Sequence, residues 1–297
     1  MALEQPKVSV IIRNRDEAVF LEQVLLALSV QKGPKLELIL VDNASRDASV
    51  AIGLRHGATL VHLKEGEFTY GKALNLGLAA AHGDVCIILS SHSLPLGTGF
   101  VHSCLAPFEN PDVAAVRCVY AGKGSDLTRW ALPEVLDGSS TLDEIVSKGP
   151  LASGCALRRS VWAQIPFDEA AEAAEDKLWA MRAVDAGYTI LSPCDAFYLY
   201  LKPISPAANI RNNYRDLRAI FMATGARLGA VKTSTSDVIR HALWTIATAA
   251  PRSALVVIHR EVTRIRLRLA FPEQRDGHDL PQAKEAQRVV GSAASPS

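Results

Sequence analysis

The sequence predicts an α/β fold in which a mostly parallel sheet is flanked by helices and followed by a C-terminal helical extension. Three observations predict it. Short apolar, β-branched runs recur over the first 120 residues; segments with helical spacing separate them; polar clusters follow the runs. With 297 residues the chain is long enough to bury a large core. Hydrophobic residues make up 48% and charged residues 21%, which excludes a disordered or fibrous chain. Lys plus Arg number 32 and Asp plus Glu 31, a net charge of +1, so no global field favours nucleic acid.

Val8 to Ile12 is a fully apolar run, as expected of a strand covered on both faces. Residues 16–31 carry Leu21, Leu25 and Leu28 at helical spacing. Leu36 to Val41 is a second strand, and a helix from Ser45, as its cap, to His56 follows. Ala58 to Leu63 is a third strand, residues 71–82 an Ala-rich helix, and Val85 to Leu89 a fourth strand. A helix over 98–108 leads to a fifth strand, Val113 to Val119. The rhythm then breaks. Residues 121–152 mix Gly, Ser, Asp and Pro, as in a loop over a site. A helix over 172–187 precedes strand-like runs near 188–191 and 196–201. From 207 the chain is mostly helical, and 273–297 has the composition of a poorly ordered tail. This divides the chain into a domain over 1–205 with halves 7–121 and 122–205, a helical region over 206–272, and the tail.

Five scattered cysteines without a CxxC pair argue against a disulfide framework or a cysteine-ligated zinc and fit a reducing compartment. Cys155 has no histidine signature beside it. No run of 18 apolar residues suggests a membrane span, and the N-terminus lacks a signal-peptide pattern, so a cytoplasmic location is expected.

Ligands of open parallel sheets bind at the carboxyl ends of the strands. Four polar clusters fall there: Arg13-Asn14-Arg15-Asp16-Glu17, Asp42-Asn43-Ala44-Ser45, Glu67 to Lys72 with Asn75 in the next helix, and Ser90-Ser91-His92-Ser93. Each alone reads as a solvated loop or helix cap; four on one edge read as a small-molecule site. No GxGxxG or GxxxxGK[ST] loop is present, which disfavours a conventional dinucleotide or P-loop site. Arg13, Arg15 and Lys72 could instead meet a diphosphate with side-chain charge, and Asp42 could accept hydrogen bonds from a nucleobase or ribose.

The blocks VSVIIRNRDE, LILVDNASRD and FTYGKALNLGLAAAHGDVCIILSSHSLP resemble the nucleotide-binding half of a family 2 glycosyltransferase with the Rossmann-like GT-A fold. SGCALRRSVWAQIPFDE and AEDKLWAMRAVDAG resemble its acceptor half. The resemblance covers residues 7–200. It implies an inverting enzyme that moves a sugar from a nucleotide-diphosphate donor to an acceptor hydroxyl. On the matching positions, Asp42 holds the nucleobase, Arg13 and Arg15 border the nucleotide, and Lys72, Asn75, Ser90 and His92 flank the nucleotide-sugar. Gly154 approaches the acceptor, and Glu175-Asp176 form the acidic pair with Asp176 as general base. Trp179 could stack on the acceptor, as could Trp162, although helix tryptophans more often pack. Arg158 and Arg159 are expected to start a helix and make surface pairs. Read from the residues alone, Asp176 sits in the first turn of a helix, where the dipole keeps a base ionised, yet acids are common there.

One departure stands out. Where the family carries Asp-x-Asp, with its last acid on a divalent metal, this chain has Ser90-Ser91-His92. Where the family often has a histidine, it reads Phe197 to Lys202. Three accounts follow: His92 binds Mg2+ or Mn2+ together with the donor phosphates; a protonated His92, with Arg13 or Lys72, neutralises the leaving group without metal; or the site binds nucleotide without turnover. A catalytically degenerate binding or scaffold protein is therefore one rival, and a nucleotidyltransferase, which would release pyrophosphate, is another. Finally, Leu255, Ile258, Val262, Ile265 and Leu269 form an apolar stripe beside Arg260, Arg264 and Arg268. Such a helix over 252–271 suits the inner face of an anionic membrane and a lipid-linked acceptor, or packing on the domain or a second subunit in a homo-oligomer.

Overall fold

The computed structural model describes residues 7–121, 134–192, 195–203 and 206–225. Its spine is the first apolar run, which extends two residues past the expected end as β1 (Val8–Asn14). β1 pairs in parallel with β2 (Leu36–Asn43) on one side and β4 (Val85–Ser90) on the other, and β2 pairs in parallel with β3 (Thr59–Leu63). These registers bring Asn14 opposite Asp42, and Arg13 opposite Ser90, at one rim.

Helices cover both faces. α1 (Ala18–Ser29) turns Leu21, Val24, Leu25 and Leu28 inward, into a core shared with Val10 and Ile87. α3 (Tyr70–Ala80) starts at Thr69, whose hydroxyl accepts from the Lys72 N–H at 3.1 Å. α3 packs on the opposite face beside Ile11 and Val41. Gly77 permits the close approach: a Cβ there would lie 2.5 Å from Ile11 Cγ2. α2 (Ser49–Arg55) begins four residues later than Ser45. Ser45 is not its cap, because its hydroxyl donates to Asp42 at 2.5 Å instead.

After α4 (Phe100–Leu105) and a 3₁₀ turn, the fifth strand divides into β6 (Val113–Arg117) and β7 (Val119–Tyr120). β6 does not join β4 directly. A later strand, β9 (Gly154–Arg158), runs antiparallel between them. The sheet order is β3-β2-β1-β4-β9-β6-β10-β8, so it is parallel through its first four strands and mixed beyond. Of the expected loop over 121–152, the described part contains β8 (Glu134–Leu136), antiparallel to β10 (Thr189–Ser192). It also holds α5 (Leu142–Lys148), closed by a Thr141–Glu144 capping box.

α6 (Arg159–Gln164) and α7 (Glu175–Asp185) flank the second half. A small sheet of β5 (Ser93–Pro95), β11 (Phe197–Tyr200) and β7 folds across the end of β4. There the Leu201 N–H donates to the His92 carbonyl at 2.8 Å. α8 (Pro206–Thr224) rests on α7, with Ile220 buried against Ala174 and Leu178. The amphipathic stretch 252–271, the tail over 273–297 and Cys194 lie outside the described residues. Among the described residues no helix is long and apolar enough to cross a membrane.

Candidate active site

A cavity of about 740 Å³ opens at the carboxyl ends of β1, β2 and β4. One side consists of the strand ends. Arg13, Asn14 and Arg15 reach it from β1, and Ser90, Ser91 and His92 from β4. The other side is the start of α7, with Glu175 and Asp176, and the α8 residues Asn212, Arg215 and Asp216. Phe68, Tyr70, Tyr200 and Lys202 complete the wall.

Arg13 ties the two sides together. Its Nη2 donates to the Ala152 carbonyl at 2.8 Å, and its Nη1 lies 3.9 Å from Glu175. The guanidinium sits 5.2 Å from the Tyr70 ring centroid, a cation–π contact. Its Nε is buried with no hydrogen-bond partner among the described residues. The Ala152 N–H donates to Asp176 Oδ2 at 2.8 Å, so one residue is held from both walls. The Lys177 N–H donates to the other Asp176 oxygen at 2.8 Å. Glu175 is raised to about 7, first by burial and then by the Asp176 charge, against the pull of Arg13.

Ser90-Ser91-His92 is organised by Glu17, whose side chain is 8% exposed. An ionised carboxylate only accepts, so His92 donates from Nδ1 to Glu17. Lys202 Nζ donates to the other oxygen, Oε1, at 2.5 Å, while the Ser91 hydroxyl donates at 3.3 Å to Oε2, the oxygen His92 uses. Burial raises the Glu17 carboxyl, but the hydrogen bonds from His92 and Lys202 and their charges outweigh it and leave it below its ordinary value. His92 Nε2 is buried without a hydrogen-bond partner among the described residues. Among those residues no group of three or more His, Cys, Asp or Glu gathers as a metal cage. With a single ring proton on Nδ1, His92 would offer Nε2 to a cation, with Glu17 fixing the ring in the manner of a metal-ligating histidine's carboxylate partner.

Backbone strain concentrates here. The positive-φ non-glycine residues among those described are Asp16 (52°), Ala44 (53°) and Ala174 (58°). They follow β1, follow β2 and precede the acidic pair. Each left-handed residue costs about 1–2 kcal/mol, held by the surrounding bonds.

The structure corrects several sequence expectations. Asp42 does not reach the cavity. Its carboxylate is 1% exposed and takes bonds from Asn14 Nδ2, the Ser45 N–H and the Ser45 hydroxyl, bracing the loop behind the wall. Its neighbour Asn43 lines the cavity instead. Lys72 lies outside and pairs with Glu67 at 2.8 Å. Asn75 is fully engaged: its amide donates to the Phe167 carbonyl and Glu169, and its oxygen accepts from Trp162 Nε1 and the Phe167 N–H. It locks the 165–169 segment rather than facing a ligand. Trp179 is 1% exposed and donates to the Ile165 carbonyl, so no acceptor can stack on it. Gly154 admits the Tyr198 ring, not a sugar, since a Cβ there would lie 2.4 Å from Tyr198 Cε1. Arg158 and Arg159 are not surface pairs: Arg158 donates to the Val113, Phe108 and Asn110 carbonyls, and Arg159 to Gly83. Cys155 is buried, and burial pushes its thiol well up, which leaves no thiolate for nucleophilic work.

The sequence reasoning passed over Glu17, Lys202 and the α8 residues. Glu17 stood inside the first polar cluster, and Lys202 in the segment where a histidine is usual. For Asn212, Arg215 and Asp216 no sequence signal existed.

A cavity at the carboxyl ends of the parallel strands lies where open α/β sheets bind their ligands, and here cationic strand ends face an acidic helix start. The Glycosyl transferase family 2 model matches residues 9–161, just over half of the chain, and the protein belongs to that family of enzymes. No curated protein matches the sequence. Solved structures share the GT-A fold. The mannosyltransferase PcManGT from Pyrobaculum calidifontis, in complex with GDP-Man and Mn2+, is 20% identical with a TM-score of 0.62, covering 97% of this chain and 80% of its own. S. aureus TarS 1–349 with UDP-GlcNAc is 15% identical with a TM-score of 0.57, covering 92% and 95%. Glucosyl-3-phosphoglycerate synthase from Mycobacterium tuberculosis, with Mn2+, UDP and glucosyl-3-phosphoglycerate, is 17% identical with a TM-score of 0.53, covering 74% and 80%.

Proposed function

We propose that this glycosyltransferase is an inverting enzyme that transfers a sugar from a nucleotide-diphosphate donor to an acceptor hydroxyl by a single displacement. The observation that carries the reading is the one cavity that joins the Arg13 and Ser90–His92 rim to Asp176. Nucleotide sugars in the solved relatives, GDP-Man and UDP-GlcNAc, support the donor class. Asp176 removes the acceptor proton as the acceptor oxygen bonds to the anomeric carbon. The bond from that carbon to the phosphate oxygen breaks, and the nucleoside diphosphate departs on the opposite face. Two backbone N–H groups hold the Asp176 carboxylate in place. Arg13, Arg15 and Lys202 offer cations to the departing phosphates.

Mn2+ accompanies the nucleotide in two of these relatives. The unpartnered His92 Nε2 fits a divalent cation as a single side-chain ligand, the diphosphate supplying others. When bound, the cation neutralises charge on the leaving group. We place the reaction in surface polysaccharide or glycoconjugate assembly, on the cytoplasmic side of the membrane, with a glycan or lipid-linked acceptor.

The test is incubation with a panel of nucleotide sugars, with and without Mn2+, for wild type and Asp176→Asn. The wild type is expected to release nucleoside diphosphate. The Asn variant should lose ~10²–10⁴-fold in turnover, the contribution of a positioned base, with donor affinity kept. Release of pyrophosphate would move the protein to nucleotidyl transfer. Binding without any release would mark a non-catalytic carrier.

A further inference from the structure

We infer that the α8 wall of the cavity selects an uncharged, hydroxyl-rich acceptor, a neutral saccharide, with Asn212 and Asp216 as specificity-determining residues. This inference rests on the glycosyl-transfer reading and names the acceptor class for that site.

The wall is fixed in place. Ile220 is fully buried with Ala174 and Leu178, next to the acidic pair. Arg215 Nη2 donates to the Glu172 carbonyl at 2.8 Å, and Arg218 Nη1 to the Glu172 carboxylate at 3.1 Å. Helical spacing of three and four then puts Asn212, Arg215 and Asp216 on one face, and that face lines the cavity beside Asp176. No hydrogen bond from a described residue occupies the Asp216 carboxylate. It meets the cavity with no donor among the described residues on it, while the Asn212 amide adds both donors and an acceptor.

Charge decides the class of ligand. Three carboxyls, from Glu175, Asp176 and Asp216, share this end. Asp216 is raised to about 6, first by burial and also by Asp176, against the opposing pull of Lys177 and Arg215. Of the cations nearby, Arg215 donates to the Glu172 carbonyl, Arg13 donates to the Ala152 carbonyl and lies 3.9 Å from Glu175, and Lys177 acts on Asp216 from outside the cavity lining. A phosphate or carboxylate on the acceptor would add negative charge beside these three carboxyls. A protonated amine would pair with Asp176 and occupy the base. Vicinal hydroxyls instead satisfy a carboxylate and an amide one helical turn apart, without charge, and bring a proton for Asp176 to take. Selectivity by a polar group that is left unpaired with the wrong ligand is a strong form of discrimination.

The test is a glycan array carrying neutral oligosaccharides and matched members bearing uronic acids or sugar phosphates. It is probed with full-length wild type, Asp216→Ala and Asp216→Asn. Wild type should bind neutral members at least 10-fold better than their acidic matches. Asp216→Ala should lose at least 10-fold on neutral members. Asp216→Asn removes one charge and keeps the shape, so its neutral-over-acidic ratio should fall toward unity, a change that mere loss of structure would not produce. Calorimetry with UDP, GDP and TDP should show the same affinity in wild type and both variants. Preference for acidic glycans, binding to no glycan, or an unchanged ratio in Asp216→Asn overturns the inference. Failure of the wild type to bind any of the three nucleotides would instead sink the donor reading, and it would appear in calorimetry, not on the array.

Discussion

Glu175→Gln should make the protein more stable at alkaline pH and leave it nearly unchanged in mild acid. Glu175 is 5% exposed, stands beside Asp176, and has one distant cation, Arg13 at 3.9 Å. Burial first, and then the Asp176 charge, raises its carboxyl from 4.5 to about 7. The native state therefore keeps a proton that the unfolded chain gives up. The contribution of Glu175 to stability is fully present below pH 4.5, falls as pH rises through about 7, and is level above. A carboxyl displaced this far costs about 3 kcal/mol to ionise inside the fold. Asp176 carries part of that cost, so about 2 kcal/mol is expected for the variant at pH 8. At pH 5 the gap should shrink below about 1 kcal/mol, because the native glutamic acid is already neutral there. Urea unfolding of both proteins at pH 5 and pH 8 measures this directly. A glutamine variant that is less stable at pH 8 would refute the reasoning, since the Arg13 ion pair would then outweigh burial and repulsion. Glutamine also mimics the protonated acid, so its turnover should stay within about 10-fold of wild type, far from the loss expected at Asp176.

Three other substitutions separate structural from ligand-facing residues. Gly154→Ala drives a Cβ to 2.4 Å from the Tyr198 ring, which is 1% exposed and bonded to Ser153, so overpacking should cost about 1–3 kcal/mol in urea unfolding; a neutral result would mean the ring can yield. Asn75→Ala strands the Trp162 indole N–H and the Phe167 N–H and should cost about 2–4 kcal/mol while nucleotide affinity, measured by calorimetry, holds; a selective loss of affinity would return Asn75 to the binding site. His92→Ala should weaken nucleoside diphosphate binding about 10-fold, or abolish its dependence on Mn2+, in titrations with and without the ion. Wild-type values in both titrations would make the histidine structural.

Local chemistry in the chain determined a good deal. The runs Val8 to Ile12, Leu36 to Val41 and Val85 to Leu89 are apolar on both faces, so they could only be central strands, and polar residues after them had to meet at one rim. That Arg13, Ser90 and His92 would line one cavity was legible on that ground, whereas the acidic pair at the start of α7 was singled out by the family resemblance. What the sequence could not decide was which polar groups a long-range partner would consume. Asp42 and Asn75 have the chemistry of ligand contacts, yet Asn14 with Ser45 in one case, and Trp162 with Phe167 in the other, take up their hydrogen-bonding capacity. Trp179 lost its choice to burial. β9 entered between β4 and β6 because an antiparallel strand can pair across any separation in the chain, and no local period records that. Glu17 and Lys202 are 185 residues apart and became partners only when β11 folded across the end of β4. Side-chain type and periodicity fix where polarity emerges; only the packed structure fixes which of those polar groups remain unspent and face the cavity.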